Sequence, residues 1–324
     1  MGEKSKLNCY AFVIQLMYQI IGEEVYVNFN FCCDNQYNLM KYKFDEVCED
    51  FDKYYEKALQ IAKERKICDK CTRYDGTPID AEHIGLNNGL SLVCSQGCKF
   101  CFAKYYMNRT LSQFPKPKLS MDLNKKFLQS VSKSKKLIHL TVSCQGEPFE
   151  DPYIRNTFLF NLHNTSIKHI NFLTNAVHAT KDYIDKLFKY FEENDIRATF
   201  LINIAGFTKD IYESYCTGKF EKVISNIENL SKTFGKDNIT ILYIISKHNY
   251  FIKKPEVIEQ FKKAFPYLDP DKHLRIIMDW KNWKDSERIK LNGEFCDTSD
   301  KSVDYKLKKY ITDSFLPKIQ EWRQ

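Results

Sequence analysis

Three cysteines, Cys94, Cys98 and Cys101, stand close together in the segment CSQGCKFC. An odd number of thiols cannot pair off completely into disulfides, and three thiolates are one short of the four ligands of a closed zinc site. Thiolates also bind iron and sulfide well, and three of them can hold three irons of a cubane cluster while the fourth iron stays open. The triplet therefore indicates either an iron–sulfur cluster with an open iron or a zinc site completed by a distant ligand.

The composition is that of an ordinary globular protein. The chain has 324 residues, of which 43% are hydrophobic and 28% are charged. This is enough to bury the core of one large domain, or of one domain with an extension. The formal net charge is +7, and the basic residues are spread along the chain without a long run. The charge is compatible with an anionic partner such as nucleic acid but does not indicate one.

The segment 11–21 is apolar enough to raise the question of a membrane or secretion signal. Gln15 and Gln19 interrupt it, no small-residue cleavage site follows, and it is too short to span a bilayer. We therefore expect a cytoplasmic protein without a membrane partner. Because cytoplasmic thiols stay reduced, clustered cysteines in such a protein more often hold metal than form disulfides.

The first ninety residues differ in pattern from the rest. Val25, Val27, Phe29 and Phe31 alternate with polar residues, which predicts a half-buried strand. Apolar residues then recur at helical spacing and predict one long amphipathic helix that ends near Lys66. These residues are Phe44, Val47, Phe51, Tyr54, Ala58 and Ala62. The segment CDKC and a turn-rich link to Asn88-Gly89 follow the helix.

From Gly89 onward, short apolar runs alternate with amphipathic stretches. The predicted strands are 90–93, 137–142, 169–173, 198–204, 239–245 and 273–278. The predicted helices are 121–133, 151–163, 180–193, 208–234, 254–265 and 303–322. Six such units imply parallel strands joined by right-handed crossovers, with the active site at the carboxyl ends of the strands.

The predicted fold is therefore α/β: a partial (β/α)6 barrel with an N-terminal α+β extension. We expect the extension at 1–88, the core barrel at 89–285 and a C-terminal helical tail at 286–324. In this register Cys94 falls at the end of the first barrel strand, and the two later cysteines fall on the loop that follows it.

The cysteine spacing resembles that of the radical S-adenosylmethionine (radical SAM) enzymes, in which an aromatic residue, here Phe100, precedes the last cysteine. The resemblance places Phe100 among the residues that bind S-adenosylmethionine. The resemblance implies that Cys94, Cys98 and Cys101 hold a [4Fe-4S] cluster whose open iron chelates S-adenosylmethionine. It also implies that an electron from the cluster cleaves this cofactor to methionine and a 5'-deoxyadenosyl radical, which abstracts hydrogen from a substrate. An external electron donor such as flavodoxin or ferredoxin is implied as well.

The segment CQGEP after the second predicted strand is similar to the Gly-Gly-Glu-Pro segment of the same enzymes. The resemblance implies that Gln145, Gly146, Glu147 and Pro148 receive the amino group of the methionine moiety. Gln145 replaces one glycine of the pattern, while the carboxylate of Glu147 suits an ammonium partner.

Two later segments carry the resemblance further. LTNA after the third strand is similar to Thr-Asn-Gly, which implies cofactor contacts from Thr174 and Asn175 and places Ala176 where the pattern has glycine. The stretch that begins INIAGFTKDIYESYC looks like a segment of the peptide-modifying members. There Asn203 replaces a serine expected to reach the ribose hydroxyls, a role that an amide can fill. The resemblance covers about 89–280 and makes zinc the weaker interpretation of the triplet.

Nine cysteines lie outside the triplet. Cys68 and Cys71 form a C-x2-C pair, which indicates a second metal site for zinc or for an additional iron–sulfur cluster. Such a site needs two more ligands, and four cysteines stand upstream as candidates. They are Cys9, Cys32, Cys33 and Cys48. The alternative is that these cysteines are small buried hydrophobic residues.

The remaining three, Cys144, Cys216 and Cys296, could each return a hydrogen atom to a product radical, although packing is the commoner role of a free cysteine. Cys144 is the best placed of them, because it stands beside the predicted methionine site.

The leading functional prediction is an enzyme that modifies a peptide or protein by radical chemistry. One alternative is the modification of a nucleotide or RNA, which the net charge permits. The phenylalanine after the last cysteine in CKFCF also resembles the one found at this position in the nucleotide-dehydrating members of the family. Another alternative is a non-catalytic iron–sulfur interaction module, since Gln145 and Ala176 replace two motif glycines.

Overall fold

A computed structural model of the protein describes residues 13–21, 23–31, 38–64, 85–88, 93–99, 101, 117–142, 146–245 and 254–278. Nine strands within these ranges form one sheet. Among the described residues, no helix combines the length and the apolar character needed to cross a membrane.

The strands are β1 Val13–Ile21, β2 Glu24–Phe31, β3 Asn38–Lys43, β4 Gly85–Asn88, β5 His139–Val142, β6 His169–Thr174, β7 Arg197–Ile204, β8 Ile239–Ile245 and β9 Leu274–Met278. The helices are α1 Phe44–Glu49, α2 Phe51–Glu64, α3 Pro117–Val131, α4 Pro152–Asn156, α5 Lys181–Glu193, α6 Lys209–Tyr215, α7 Phe220–Phe234, α8 Lys254–Ala264 and α9 Pro270–His273.

The sheet has the order β3-β2-β1-β4-β5-β6-β7-β8-β9. Strands β4 to β9 are parallel to their neighbours, as the predicted α/β fold requires. Strand β1 also runs parallel to β4, whereas β1, β2 and β3 pair antiparallel with one another. The N-terminal segment thus adds three strands to the β4 edge of the parallel series, and the carboxyl ends of β4 to β9 meet at one edge of the sheet.

The N-terminal elements agree in part with the sequence pattern. The alternating segment is β2, and its Val27 and Phe29 are buried against the apolar side chains of α1 and α2. The predicted single helix is two helices, separated at Asp50, whose carboxylate accepts a hydrogen bond from the Lys53 N–H at 3.2 Å and so caps α2. The apolar run at 11–21, for which no element was predicted, contributes β1.

The strand predicted at 90–93 from the apolar run LSLV falls mostly outside the described residues, which include only its last residue, Val93, and Val93 lies in a loop. The first described strand of the parallel series is β4, Gly85–Asn88, which the pattern did not predict. The segment GLNN has little apolar character of its own, and its pairing with β1 and β5 on either side stabilises it as a strand. Cys94 therefore lies within the loop after β4 and not at the end of the strand.

Two predicted helices are interrupted. The helix predicted at 208–234 is α6 and α7, with a break at 216–219. The helix predicted at 151–163 is α4 followed by two short 3₁₀ turns, and Asp151 caps α4 by accepting hydrogen bonds from the N–H groups of Tyr153 and Ile154. The other predicted strands and helices after residue 116 match to within a few residues at each end, apart from the one at 303–322, which lies outside the described residues.

The two faces of the parallel sheet differ in polarity. Along β5, β6 and β7, apolar residues that are buried alternate with half-buried residues, most of them polar. The buried face contains a stack of three phenylalanine rings in which Phe172 lies between Phe149 and Phe200, with ring centroids 5.0 Å apart on each side. This stack is the centre of the core beneath the carboxyl ends of the strands.

We expect Phe172→Ala to lower the free energy of unfolding by about 3–5 kcal/mol, because it leaves a cavity between two rings that cannot close together. Urea denaturation followed by circular dichroism measures this change. The matched control is Leu119→Ala on α3, where a side chain that is 42% exposed is truncated and a change within about 0.5 kcal/mol is expected. Equal effects of the two substitutions would contradict this description of the core.

Candidate active site

The three cysteines of the triplet lie on the loop that follows β4. Gly97, between the first two of them, has a φ of +56°, a left-handed conformation that glycine adopts without steric cost. The Cys101 N–H donates to the Cys98 carbonyl at 3.1 Å, which closes a turn. Among the described residues, no three His, Cys, Asp or Glu side chains converge on one point to hold a metal. The structure therefore places the three thiols on one loop.

The backbone of this loop is bound to the segment between α6 and α7. The Lys99 N–H donates to the Tyr215 carbonyl at 3.1 Å, and the Thr217 N–H donates to the Gln96 carbonyl at 3.0 Å. The side chain of Gln96, which is buried, donates to the Tyr212 hydroxyl. Residues 212–217 thus fix the position of the cysteine loop, although they are more than a hundred residues away in the sequence.

Two cysteine side chains of the loop have partners from outside it. The sulfur atoms of Cys98 and Cys216 lie 3.3 Å apart, and the side-chain amide of Asn175 lies 3.7 Å from the sulfur of Cys94. The hydrogen bond with Cys216 and burial both raise the pKa of the Cys98 thiol well above its usual range. In the metal-free protein Cys98 is accordingly a thiol, so it must lose a proton to bind a metal.

Glu147 is the centre of a hydrogen-bond network between loops. Its carboxylate accepts from the Thr174 hydroxyl at 2.6 Å, the Asn175 N–H at 2.7 Å and the Phe149 N–H at 3.2 Å. Its own N–H donates to the Val93 carbonyl at 2.7 Å. Burial is the largest influence on this group and raises its pKa to about 7, although the three hydrogen bonds act in the opposite direction.

Glu147 belongs to the segment predicted to bind the methionine moiety, and in the structure its carboxylate contacts other parts of the chain. The side chain of Glu147 is fully buried and its oxygen atoms bind the neighbouring loop, so it supports the segment from beneath. Pro148 is buried as well, whereas Gly146 is half-buried. Of the three described residues of this segment, Gly146 is the most exposed.

The Thr-Asn-Ala segment follows β6 and lies against this network. Ala176 has a φ of +58°, and it occupies the position where the resembling sequences have glycine. A left-handed conformation costs a residue with a Cβ roughly 1 kcal/mol or more. The side-chain amide of Asn226 donates to the carbonyls of Ala176 and Val177 at 2.8 and 3.1 Å and holds the turn in this conformation. The loss of the motif glycine therefore leaves the turn intact.

Asn203 lies near the carboxyl end of β7, on the polar face of the sheet. Its side-chain oxygen is buried and has no hydrogen-bond partner among the described residues. A buried acceptor without a donor costs free energy, and a hydroxyl group of a bound molecule would supply that donor. This arrangement fits the predicted contact with the ribose.

Several predicted site residues fall outside the described residues. They are Phe100, Cys144, Gln145, Cys68, Cys71 and Cys296, together with the upstream candidates Cys9, Cys32 and Cys33. Cys48 is described: it is half-buried in α1, and burial raises the pKa of its thiol to about 12. The contact between Cys216 and Cys98 was not predicted, because no local pattern relates two residues so far apart in the chain.

The sequence profile of the Radical SAM superfamily matches residues 90–252, about half of the chain. The chain belongs to the radical SAM superfamily. This match includes all three cysteines of the triplet and the segments that follow β5, β6 and β7. It confirms the predicted family and, with the parallel series of strands, the predicted fold class. Because the members of the superfamily are enzymes, the prediction that the protein is a radical SAM enzyme is also confirmed.

Several solved structures resemble parts of the chain. Native anSMEcpe with bound AdoMet is 18% identical, with a TM-score of 0.39, and the match covers 60% of this chain and 51% of that one. Streptococcus suis SuiB bound to its precursor peptide SuiA is 14% identical, with a TM-score of 0.39 and coverages of 92% and 69%. TYW1 with a lysine-pyruvate adduct is 16% identical, with a TM-score of 0.40 and coverages of 85% and 83%. No curated protein matches the sequence.

Membership of the superfamily implies a [4Fe-4S] cluster, and the chemistry of the loop fits one. Cys94, Cys98 and Cys101 supply three sulfur donors, and no carboxylate or imidazole group stands between them in the sequence. Thiolates are the ligands that iron–sulfur clusters require. The hydrogen bonds that fix Lys99 and Gln96 to residues 212–217 use backbone atoms and the Gln96 side chain, and none of them uses a cysteine sulfur.

The buried carboxyl group of Glu147 should make stability depend on pH. Because its pKa is about 7 in the folded protein and about 4.5 in the unfolded chain, the folded state binds more protons between these two values. The free energy of unfolding should therefore fall as pH rises from about 4.5 to 7, by up to about 3 kcal/mol from this group.

The Glu147→Gln variant cannot ionise at this position, and its unfolding free energy should lack this contribution. Urea denaturation at pH 5 and at pH 7.5 measures the pH dependence in both proteins, and the difference between them isolates Glu147 from other titrating groups. Identical pH dependence in the wild type and the variant would show that Glu147 does not have a raised pKa.

Proposed function

We propose that the protein cleaves S-adenosylmethionine reductively at a [4Fe-4S] cluster bound by Cys94, Cys98 and Cys101. The observation that carries this proposal is the position of the three thiols: they lie on the loop after the first parallel strand, within the superfamily match. The carboxyl ends of β5, β6 and β7 lie at the same edge of the sheet, which is where α/β folds bind their ligands.

When bound, the cluster supplies the electron that cleaves the cofactor to methionine and a 5'-deoxyadenosyl radical, and this radical abstracts hydrogen from the substrate. The chain binds and orients the cofactor. We assign the methionine amino group to the segment that contains Gln145, Gly146, Glu147 and Pro148, with the backbone near Gly146 as the contact and the Glu147 carboxylate as its support. We assign the ribose hydroxyls to the unpaired oxygen of Asn203.

The proposed substrate is a peptide or protein. The support for this proposal is the stretch INIAGFTKDIYESYC, which is similar to the corresponding segment of the peptide-modifying members of the superfamily. A nucleotide or RNA is the second candidate, and the net charge of +7 permits it because a basic protein attracts a polyanion.

We also propose a cytoplasmic location and an electron donor such as flavodoxin or ferredoxin. The five described cysteines are free thiols, which is consistent with a reducing compartment. Cys68 and Cys71 remain the proposed ligands of a second metal, either zinc or an additional cluster, because C-x2-C is a common metal-binding spacing.

Anaerobic reconstitution tests the central proposal. The protein is loaded with iron and sulfide, reduced with dithionite and supplied with S-adenosylmethionine, and 5'-deoxyadenosine is measured by chromatography. We expect 5'-deoxyadenosine from the wild type and a loss to the background level in the triple variant Cys94→Ala, Cys98→Ala, Cys101→Ala. A wild type that binds iron and forms no 5'-deoxyadenosine would instead support a non-catalytic module.

Iron counting on the same triple variant tests the second metal site. About four irons remaining per chain would support an additional cluster at Cys68 and Cys71, whereas near-zero iron would exclude it. Zinc analysis of the variant separates a zinc site from an empty one.

The two substrate classes differ in what stimulates 5'-deoxyadenosine formation. Stimulation by a short peptide encoded beside the gene would support peptide modification. Stimulation by nucleoside triphosphates or RNA, with no effect of the peptide, would overturn it in favour of the second candidate.

Asn203→Ala should raise the dissociation constant of S-adenosylmethionine by roughly three- to tenfold, because one hydrogen bond contributes about 0.5–1.5 kcal/mol. Calorimetry on the reconstituted, unreduced protein measures this change. The control is Asn171→Ala, on the same face of the sheet, where the amide already pairs with Thr141 and Thr199. Equal affinity of the Asn203 variant and the wild type would exclude the ribose contact.

A further inference from the structure

Two of the three thiols of the cysteine loop contact a hydrogen-bond donor from another part of the chain. The side-chain amide of Asn175 lies 3.7 Å from the sulfur of Cys94, and the thiol of Cys216 lies 3.3 Å from the sulfur of Cys98. Both distances are within the range of hydrogen bonds to sulfur, whose atomic radius exceeds that of oxygen. The two donors come from different segments, one after β6 and the other after α6.

The orientation of the Asn175 amide is fixed by its other contacts. Its side-chain oxygen accepts a hydrogen bond from the Val177 N–H at 3.0 Å, and its backbone N–H donates to Glu147 at 2.7 Å. Because the oxygen is occupied by a donor, the NH₂ group is the part of the amide that faces Cys94. The contact is therefore N–H to sulfur.

The position of Cys216 is fixed by the backbone on both sides of it. The Tyr215 carbonyl accepts from the Lys99 N–H, and the Thr217 N–H donates to the Gln96 carbonyl, so the two segments are joined immediately before and after the thiol pair. Cys216 itself is buried. Packing alone does not explain why the sulfur of Cys216 is held in contact with the sulfur of Cys98, a proposed cluster ligand.

The direction of the hydrogen bond between the two cysteines follows from the proposed function. Cys98 must be a thiolate when it binds iron, so it can only accept. Cys216 is then the donor. Hydrogen bonds donated to cluster thiolates draw electron density from the sulfur and stabilise the reduced cluster, which carries one more negative charge.

We propose that Asn175 and Cys216 are positioning residues that donate hydrogen bonds to the thiolates of Cys94 and Cys98 and raise the reduction potential of the cluster. This inference rests on the proposed function and goes beyond it. It assigns Cys216 a role at the cluster in place of hydrogen-atom return to a product radical, and it gives Asn175 a second partner besides the cofactor.

The test is a redox titration of the reconstituted full-length protein without S-adenosylmethionine, in which the reduced cluster is followed by electron paramagnetic resonance. We expect a more negative potential in Cys216→Ala and in Asn175→Ala, and a larger shift in the double variant. Cys216→Ser keeps a donor and should titrate close to the wild type. Asn194→Ala, which removes an amide that binds the Tyr190 carbonyl just before the amino end of β7, is the matched control and should not shift the potential.

Unchanged potentials in both alanine variants would overturn the inference, as would equal shifts in Cys216→Ala and Cys216→Ser. If Cys216→Ala does not retain the cluster, Cys216→Val fills the same volume with apolar groups and gives the same comparison. A wild type that binds no cluster would overturn the proposed function together with this inference. A wild type that cleaves the cofactor, with no shift in the variants, would overturn the inference alone.

Discussion

The buried carboxyl group of Glu147 is the interaction on which the arrangement of the site depends. It accepts hydrogen bonds from the loop after β6, and its own backbone N–H binds Val93 at the start of the cysteine loop. Glu150, one turn further on, accepts from the Ser95 N–H at 2.8 Å. The segment after β5 therefore joins the loops after β4 and β6.

Burial of this carboxyl group is costly because a charge loses its hydration in the protein interior. Three donors offset part of that cost, and the rest is reflected in the raised pKa. Near neutral pH the group can thus be neutral or ionised with little difference in free energy. The same residue was expected to bind an ammonium group directly. In the structure its carboxylate accepts from the Thr174 hydroxyl and from the backbone N–H of Asn175. The side-chain amide of Asn175 in turn contacts the sulfur of Cys94.

The polar face of the sheet gives the unpaired oxygen of Asn203 its significance. One row of residues that pair across the six neighbouring strands from β2 to β7 consists entirely of neutral amide and hydroxyl residues. They are Asn30, Gln15, Asn87, Thr141, Asn171 and Thr199. On β5, β6 and β7 these side chains pair with one another. Asn203 lies on the same face of β7, nearer the carboxyl edge, where its oxygen atom is buried without such a partner. The polar side chains of Thr141, Asn171 and Thr199 are thus paired, whereas the oxygen of Asn203 is unpaired at the carboxyl edge of the sheet, where we propose that the cofactor binds.

Much of the fold could be predicted from the sequence, because apolar periodicity identifies strands and helices that pack on a common core. Strands β6 to β9 lie at nearly the predicted positions. The alternation of apolar and polar residues did not predict β1, because most of its residues are apolar on both faces. One face carries Ile14, Leu16, Tyr18 and Ile20, and the other carries Val13, Met17 and Ile21 together with two glutamines. The alternation also failed for β4, because pairing on both sides stabilises a segment that has weak apolar character. A short stretch of sequence does not show which strands will pair with it or which distant residues will bury it.

The same distinction applies to the site. The three cluster cysteines were identified because their spacing is local, and Ala176 was identified as a replaced glycine at a position that does have a left-handed backbone. The partners that fix the cysteine loop were not identified, since Tyr215 and Thr217 meet Lys99 and Gln96 only after the chain has formed three further strands. Local motifs thus locate the groups that perform the chemistry, whereas long-range contacts locate the groups that support them.

The way in which the loop is fixed also bears on how it could accept a cluster. Its long-range anchors are backbone hydrogen bonds at Gln96 and Lys99, a backbone bond from Ser95 to Glu150 and the buried amide of Gln96. None of these bonds uses a cysteine sulfur. Among the described residues, the sulfur atoms of Cys94 and Cys98 contact the Asn175 amide and the Cys216 thiol, and Cys94 also accepts from the Gln96 N–H. These contacts can persist as hydrogen bonds to thiolates. Binding of a cluster by these cysteines would therefore require loss of their thiol protons, and the long-range hydrogen bonds that hold the loop to the rest of the sheet would not compete for the sulfur atoms.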